Sequence, residues 1–251
     1  MSTAEPVLKV DGIKKAYGAI QAVGGVSFEV YPGEIFGVIG PNGSGKTTLF
    51  NSMLGQIKAD AGTIRLKGED ITRLNPLALS QKGVGRTFQT LQVFGKMTVR
   101  DNLIVAAQEH SGSMIGRLFS PSDSGLGARA DELIKLFRIE HVAQLPAGSL
   151  SYGQQKLVDI AMAFMSEPSL VLLDEPCAGV NPSLVGGIAT LLKQLNQRYP
   201  EKAFVVIEHN MEFVMSLCHR IMVMVEGKVM AMGSPAQIRA NQAVLDAYLG
   251  N

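Results

Sequence analysis

The sequence lacks any apolar run that could cross a bilayer as a helix. Its most apolar stretches, 170–173, 203–207 and 221–225, are four or five residues long, against the roughly 20 that a spanning helix needs. It also lacks an N-terminal basic segment followed by an apolar one, so no signal peptide is expected. Any service to a membrane is therefore expected through a partner. Cysteine is scarce. Cys177 and Cys218 stand in unrelated contexts, which excludes a disulfide framework and a cysteine metal site and fits a reducing compartment. An excess of one charge sign is missing too. With 23 Lys and Arg against 22 Asp and Glu and no block of like charge, the chain carries no electrostatic footprint for nucleic acid. No internal repeat is found.

What is present is a chain of 251 residues with 46% hydrophobic residues, enough for one large α/β domain or two tightly joined lobes. Short apolar runs alternate with helical patterns, which predicts a mainly parallel sheet covered by helices. Segments 7–10, 26–30 and 62–66 read as strands of a separate small antiparallel sheet. Segment 34–39 reads as a buried strand, and 46–54 as a helix closed by Gly55. Segment 111–130, with several Gly and Ser and with Pro121, reads as an irregular surface connection or loose helical insert. Leu133, Leu136 and Phe137 then share a helical face. Strands are expected at 170–173 and 203–207, a helix from near Asn210, and a closing hairpin of 221–225 and 228–232 turned at Glu226 and Gly227.

Two motifs carry chemistry. Gly40, Pro41, Asn42, Gly43, Ser44, Gly45, Lys46 and Thr47 match the phosphate-binding loop GxxxxGK[ST], between an expected strand and an expected helix. Glycines let backbone N–H groups turn toward phosphate oxygens, and the helix N-terminus adds positive partial charge. Lys46 can reach the β- and γ-phosphates and Thr47 can ligate Mg2+; Thr48 completes the expected ATP contacts. The second motif is the apolar strand 170–173 ending in Asp174 and Glu175. Asp174 is placed for the Mg2+ shell and Glu175 for polarising an attacking water. Together they define a P-loop NTPase. The Asn-Lys-x-Asp segment by which GTPases read guanine is absent.

Leu150, Ser151, Tyr152, Gly153, Gln154 and Gln155, before a helix expected at 156–165, resemble the signature motif of ABC ATPases. Other marks of that family follow the expected order. Tyr17 is similar to the aromatic that stacks on adenine, and Gln89 to the Q-loop glutamine that reaches Mg2+ and the attacking water. Ala178 to Pro182 resemble the D-loop, and His209 the switch histidine that senses the γ-phosphate. Two departures stand out: Tyr152 replaces the first Gly of LSGGQ, and Asn181 replaces the customary D-loop Asp. Cys177 reads as a small buried hydrophobe rather than a redox switch.

The segments 86–89, 97–103 and 151–155, and the ending 247–250, are similar to the LivG-type branch, which serves importers of branched-chain amino acids and related urea or amide importers. The resemblance implies a RecA-like P-loop NTPase core, an N-terminal antiparallel β subdomain and an inserted α-helical subdomain. It places the catalytic lobe at 1–88 and 166–251 and the signature-bearing helical lobe at 89–165.

It further implies a peripheral ATPase on the cytoplasmic side of the cell membrane. A second cassette, identical or paralogous, would complete each ATP site through Ser151, Tyr152, Gly153 and Gln154. Two membrane permease subunits would dock near 89–103, and a solute-binding protein would act indirectly. An exporter of lipid or lipopolysaccharide, or an iron–sulfur-assembly ATPase, remains an alternative. A translation-type protein would hold two cassettes, and a repair-type protein a long coiled coil that is not visible here.

Overall fold

The computed structural model describes residues 5–87, 92–108 and 123–249. In chain order the described elements are β1 (Leu8–Tyr17), β2 (Ile20–Val30), β3 (Ile35–Ile39), α1 (Lys46–Met53), β4 (Ala61–Leu66), β5 (Glu69–Asp70), α2 (Pro76–Gln81), β6 (Val84–Arg86), α3 (Val99–Gln108), α4 (Asp123–Leu136), α5 (Tyr152–Phe164), β7 (Leu170–Asp174), α6 (Pro182–Arg198), β8 (Ala203–Ile207), α7 (Met211–Leu217), β9 (Arg220–Val225), β10 (Lys228–Gly233), α8 (Pro235–Arg239) and α9 (Gln242–Leu249).

The strands form two sheets. A six-stranded sheet runs β10-β9-β3-β8-β7-β6, and a four-stranded sheet runs β2-β1-β4-β5. In the larger sheet β9, β3, β8, β7 and β6 are mutually parallel, and β10 closes the edge antiparallel to β9. The smaller sheet is antiparallel throughout. Strands β3, β7 and β8 are buried along their whole length, as expected of parallel strands covered on both faces.

The period-2 alternation of those strands sorts their side chains into two cores. Ile35 and Ile39, Val171 and Leu173, and Phe204 and Val206 face the apolar sides of α3 to α7. Phe36 and Val38, Leu170 and Leu172, and Val205 and Ile207 face α1 and the small sheet, where Leu8, Val10, Val26, Phe28 and Ile64 close the layer. Phe28 stacks on Phe36 across this interface, with ring centroids 5.0 Å apart.

The sequence leaves 111–130 open between an irregular connection and a helical insert; 123–130 lies in α4, while 109–122 falls outside the described residues. Ala130 and Leu133 are fully buried on this helix, and Arg129 pairs with Glu132 at 2.7 Å. Burial of that face outweighs the low helix propensity of Gly125 and Gly127. Helix α5 starts earlier than expected, because Ser151 is its N-cap and Gln154 completes a capping box. The closing hairpin forms as expected, and both turn residues, Glu226 and Gly227, take positive φ (49° and 75°). That sign pattern belongs to the tight turn matching the twist of paired strands.

Candidate nucleotide-binding site

Parallel strands present their carboxyl ends along one edge, which is where open α/β sheets bind ligands. Here β3, β8 and β7 are neighbours in that order. Their ends deliver the phosphate loop after Ile39, His209 after Ile207, and the acidic pair Asp174 and Glu175. Sequence-distant motifs thus meet through sheet order.

The loop at 40–45 is shaped by close backbone approach. A Cβ on Gly40 would lie 2.1 Å from the Met224 carbonyl oxygen, and one on Gly45 would lie 2.1 Å from the Ala22 carbonyl oxygen. Gly45 also caps α1 at φ 95°, a left-handed conformation open to glycine at little cost. The Gly227 N–H donates to the Ser44 carbonyl at 3.0 Å, and the Gly24 N–H donates to the Gly227 carbonyl at 2.7 Å. Strand β2 and the β9–β10 turn therefore wall the loop. Gly43 faces open space, and Asn42 and Thr47 are exposed. The first N–H groups of α1, those of Lys46, Thr47 and Thr48, have no intrahelical acceptor and can serve an anion.

Lys46 lies folded into its own loop. Its ammonium donates to the carbonyls of Gly40 (2.7 Å) and Pro41 (3.0 Å) and lies 3.5 Å from Ser44 Oγ. Burial lowers its pKa, opposed by the charges of Glu175 and Asp174. Asp174 is nearly buried, and its N–H donates to Thr87 Oγ1 at 3.1 Å. Burial, reinforced by the Glu175 charge, pushes its pKa up to about 6. Its carboxylate and the Thr47 hydroxyl are the kind of hard oxygen donors that Mg2+ prefers.

Glu175 follows in a left-handed conformation, φ 46°. Its N–H donates to the Ile207 carbonyl at 2.9 Å, and its Oε1 stands 3.6 Å from His209 Nδ1. Tyr17 ends β1, half exposed, opposite Ile20 in the register. That turn leads along β2 to Ala22 against the phosphate loop. The ammonium of Lys15 lies 5.5 Å from the Tyr17 ring centroid, so one ring face meets a cation. Gln89 lies outside the described residues.

The signature residues open α5. Gln154 N–H donates to Ser151 Oγ (3.4 Å), while Ser151 N–H and its hydroxyl donate to Gln154 Oε1 (3.0 and 2.9 Å). Gln154 therefore serves as cap for its own helix. The ring of Tyr152 lies over Gly179, where a Cβ would come within 3.0 Å of Cε1. An aromatic in place of the customary Gly thus packs the signature against the D-loop turn. Asn181 caps α6, its side chain accepting from Ser183 N–H at 3.0 Å. Asp would cap equally well, so this departure keeps the local structure.

Some functional neighbours escaped the sequence reading. Ala22, Met224 and Gly227 act through backbone position, which leaves no side-chain signal. Glu208 is completely buried, and its one sequence cue is an acid directly after the apolar run 203–207. Thr87 is buried too and ties the end of β6 to Asp174.

The geometry has counterparts in known proteins. Residues 23–178 match the ABC transporter family model, and residues 228–251 match a model described as branched-chain amino acid ATP-binding cassette transporter. The chain is 38% identical to the high-affinity branched-chain amino acid transport ATP-binding protein LivG of Escherichia coli K12, over 98% of this chain and 99% of that one. It is 37% identical to BraF of Pseudomonas aeruginosa, described in the same words, with the same coverage. Among solved structures, an ATP-binding cassette of an ABC transporter in its ADP conformation superposes with a TM-score of 0.88 at 33% identity, covering 98% of this chain and all of that one. A nucleotide-free cassette gives 0.87 at 32% identity, with the same coverage. On sequence, fold and phosphate-loop geometry together, the chain belongs to the ATP-binding cassette family of ABC transporters.

Proposed function

We propose that this chain is the ATP-hydrolysing subunit of an ABC importer for branched-chain amino acids. The observation that carries the substrate class is the match at 228–251. That segment lies beyond the general cassette match, and its model bears the substrate name. Near-full-length likeness to LivG and BraF supports the same reading.

In this reading the adenine stacks on Tyr17, and the phosphates lie along 40–48, from Gly40 to Thr48. Lys46 turns from its loop carbonyls to the β- and γ-phosphates. Thr47, Asp174 and Gln89 hold Mg2+, which neutralises phosphate charge when bound. Glu175 accepts a proton from the attacking water while His209 orients it beside the γ-phosphate. A second cassette brings Ser151, Tyr152 and Gly153, at the N-terminus of its α5, over the γ-phosphate from the other side. Gln154 contributes by holding that cap. Burial of the γ-phosphate closes the dimer and hydrolysis reopens it.

The helical lobe, 89–165, carries the signature and walls one side of the groove for the permease. A recess of about 300 Å3 lies between α2, α3 and α5, away from the phosphate loop. Leu77, Leu79, Phe94 and Met162 line it, and Leu77 and Phe94 are half exposed. Such an apolar recess suits a short amphipathic helix of a membrane subunit. The sequence placed this groove at 89–103; α2 and α5 supply much of its wall. No described helix is long and apolar enough to cross a membrane. By likeness to LivG and BraF, this reading has the chain attach peripherally, on the cytoplasmic side where ATP is available.

The test is a pull-down of the tagged chain from detergent-solubilised native membranes, together with leucine uptake in cells lacking the gene. Recovery of two multi-span permeases and a second cassette, with uptake lost, is expected. Recovery of soluble scaffold proteins alone, with normal uptake, would remove the transport assignment.

A further inference from the structure

We infer that Glu208 is a positioning residue that braces both halves of the hydrolytic pair with one buried carboxylate. Its Oε1 accepts from the Cys177 N–H at 2.8 Å. Its Oε2 accepts from the N–H groups of His209 (2.9 Å) and Asn210 (3.1 Å). Cys177 sits inside the turn that Glu175 opens, since the Ala178 N–H donates to the Glu175 carbonyl at 3.1 Å. One oxygen therefore grips the Glu175 turn and the other the His209 turn. The 3.6 Å separation of Glu175 Oε1 and His209 Nδ1 is set by the span of a single side chain.

A fully buried carboxylate is costly unless its lone pairs and charge are matched. Three backbone donors match the lone pairs. Lys156, fully buried on α5, brings a positive charge into the same interior. Cys177 and Asp174 both feel the Glu208 charge in one direction and the Lys156 charge in the other, which places the two ions in one buried region. The two oxygens of Glu208 tie the Cys177 turn to the His209 turn. Movement of the Cys177 turn is thereby passed to the backbone of His209.

The inference rests on Glu175 and His209 acting in hydrolysis, and the experiment separates the two ideas. Steady-state ATPase, single-turnover phosphate release, ATP affinity and thermal melting are measured on the full chain for Glu208→Gln, His209→Ala and the pair combined. Glutamine keeps the shape but turns an NH2 toward an N–H, opening one arm. The expected result is a kcat loss of at least tenfold for Glu208→Gln, with KM and ATP affinity changed less than threefold. Added to His209→Ala, it should cost clearly less than it does in the wild type, because only the Glu175 arm is then left to disturb.

Wild-type turnover in Glu208→Gln beside an inactive His209→Ala overturns the brace, as do losses that multiply or a KM rise that matches the kcat loss. Wild-type turnover in His209→Ala instead overturns the hydrolytic reading and the brace with it. If Glu208→Gln does not fold, Lys156→Met with Glu208→Gln removes both buried charges together. The same criteria then apply to it.

Discussion

The imidazole Nδ1 of His209 stands 3.6 Å from Oε1 of Glu175, and the two side chains come from the ends of adjacent parallel strands. Glu175 is the proposed proton acceptor, so Glu175→Gln should keep ATP binding and cut turnover by on the order of 10²-fold or more. With ATP trapped, the dimer should persist on size exclusion in the presence of nucleotide. Phosphate release near the wild-type rate would remove the role assigned to Glu175.

Asp174 ties up stability for the sake of the site. Its pKa rises from the usual 3.8 to about 6 on folding, so the folded protein favours the protonated form. The sign follows directly: the contribution is most favourable below pH 3.8 and is lost as pH rises through about 6. In nucleotide- and metal-free protein, Asp174→Asn should therefore be more stable at pH 7.5, by about 2–3 kcal/mol at most. The advantage should vanish near pH 4, and Mg2+-dependent hydrolysis should be lost. Denaturant melts at three pH values check this, and a pH-independent difference would contradict it.

Ser151 is both cap and proposed phosphate contact for a second subunit. Ser151→Ala should cost about 1 kcal/mol of stability through the lost cap. In a Glu175→Gln background it should weaken ATP-driven dimer formation at least tenfold and leave ATP affinity of the single chain unchanged. Equal dimerisation by light scattering would restrict Ser151 to capping.

The recess lined by Leu77 and Phe94 gives a cleaner separation of roles. Leu77 is half exposed, so Leu77→Asp should alter stability by no more than about 0.5 kcal/mol. ATPase activity of the isolated subunit should stay as it was, while permease recovery falls. Undiminished recovery would place the docking surface elsewhere.

Much of this was legible in the sequence because the chemistry sits in short contiguous motifs at strand ends. The phosphate loop, Asp174, Glu175 and His209 were each readable from an apolar run and the polar residue after it. Sheet order was not readable, since β3 pairs with β8, Ile35 opposite Phe204, and with β9, Phe36 opposite Arg220, and pairing at that distance leaves no local pattern. Segment 123–130 stayed open between connection and helix because glycine propensity is local while the burial of Ala130 is tertiary. The capping role of Gln154 stayed hidden because its spacing from Ser151 also fits the signature. Glu208 needs three backbone donors that only the fold assembles.

In the proposed site, the Lys46 ammonium rests on the Gly40 and Pro41 carbonyls, so nucleotide capture would be an exchange. Arriving phosphate displaces two existing partners, so part of the attraction is spent before any net affinity accrues. After hydrolysis the same carbonyls compete to take the lysine back. A loop that supplies its own acceptors for the lysine keeps that charge partnered whether or not a phosphate is bound.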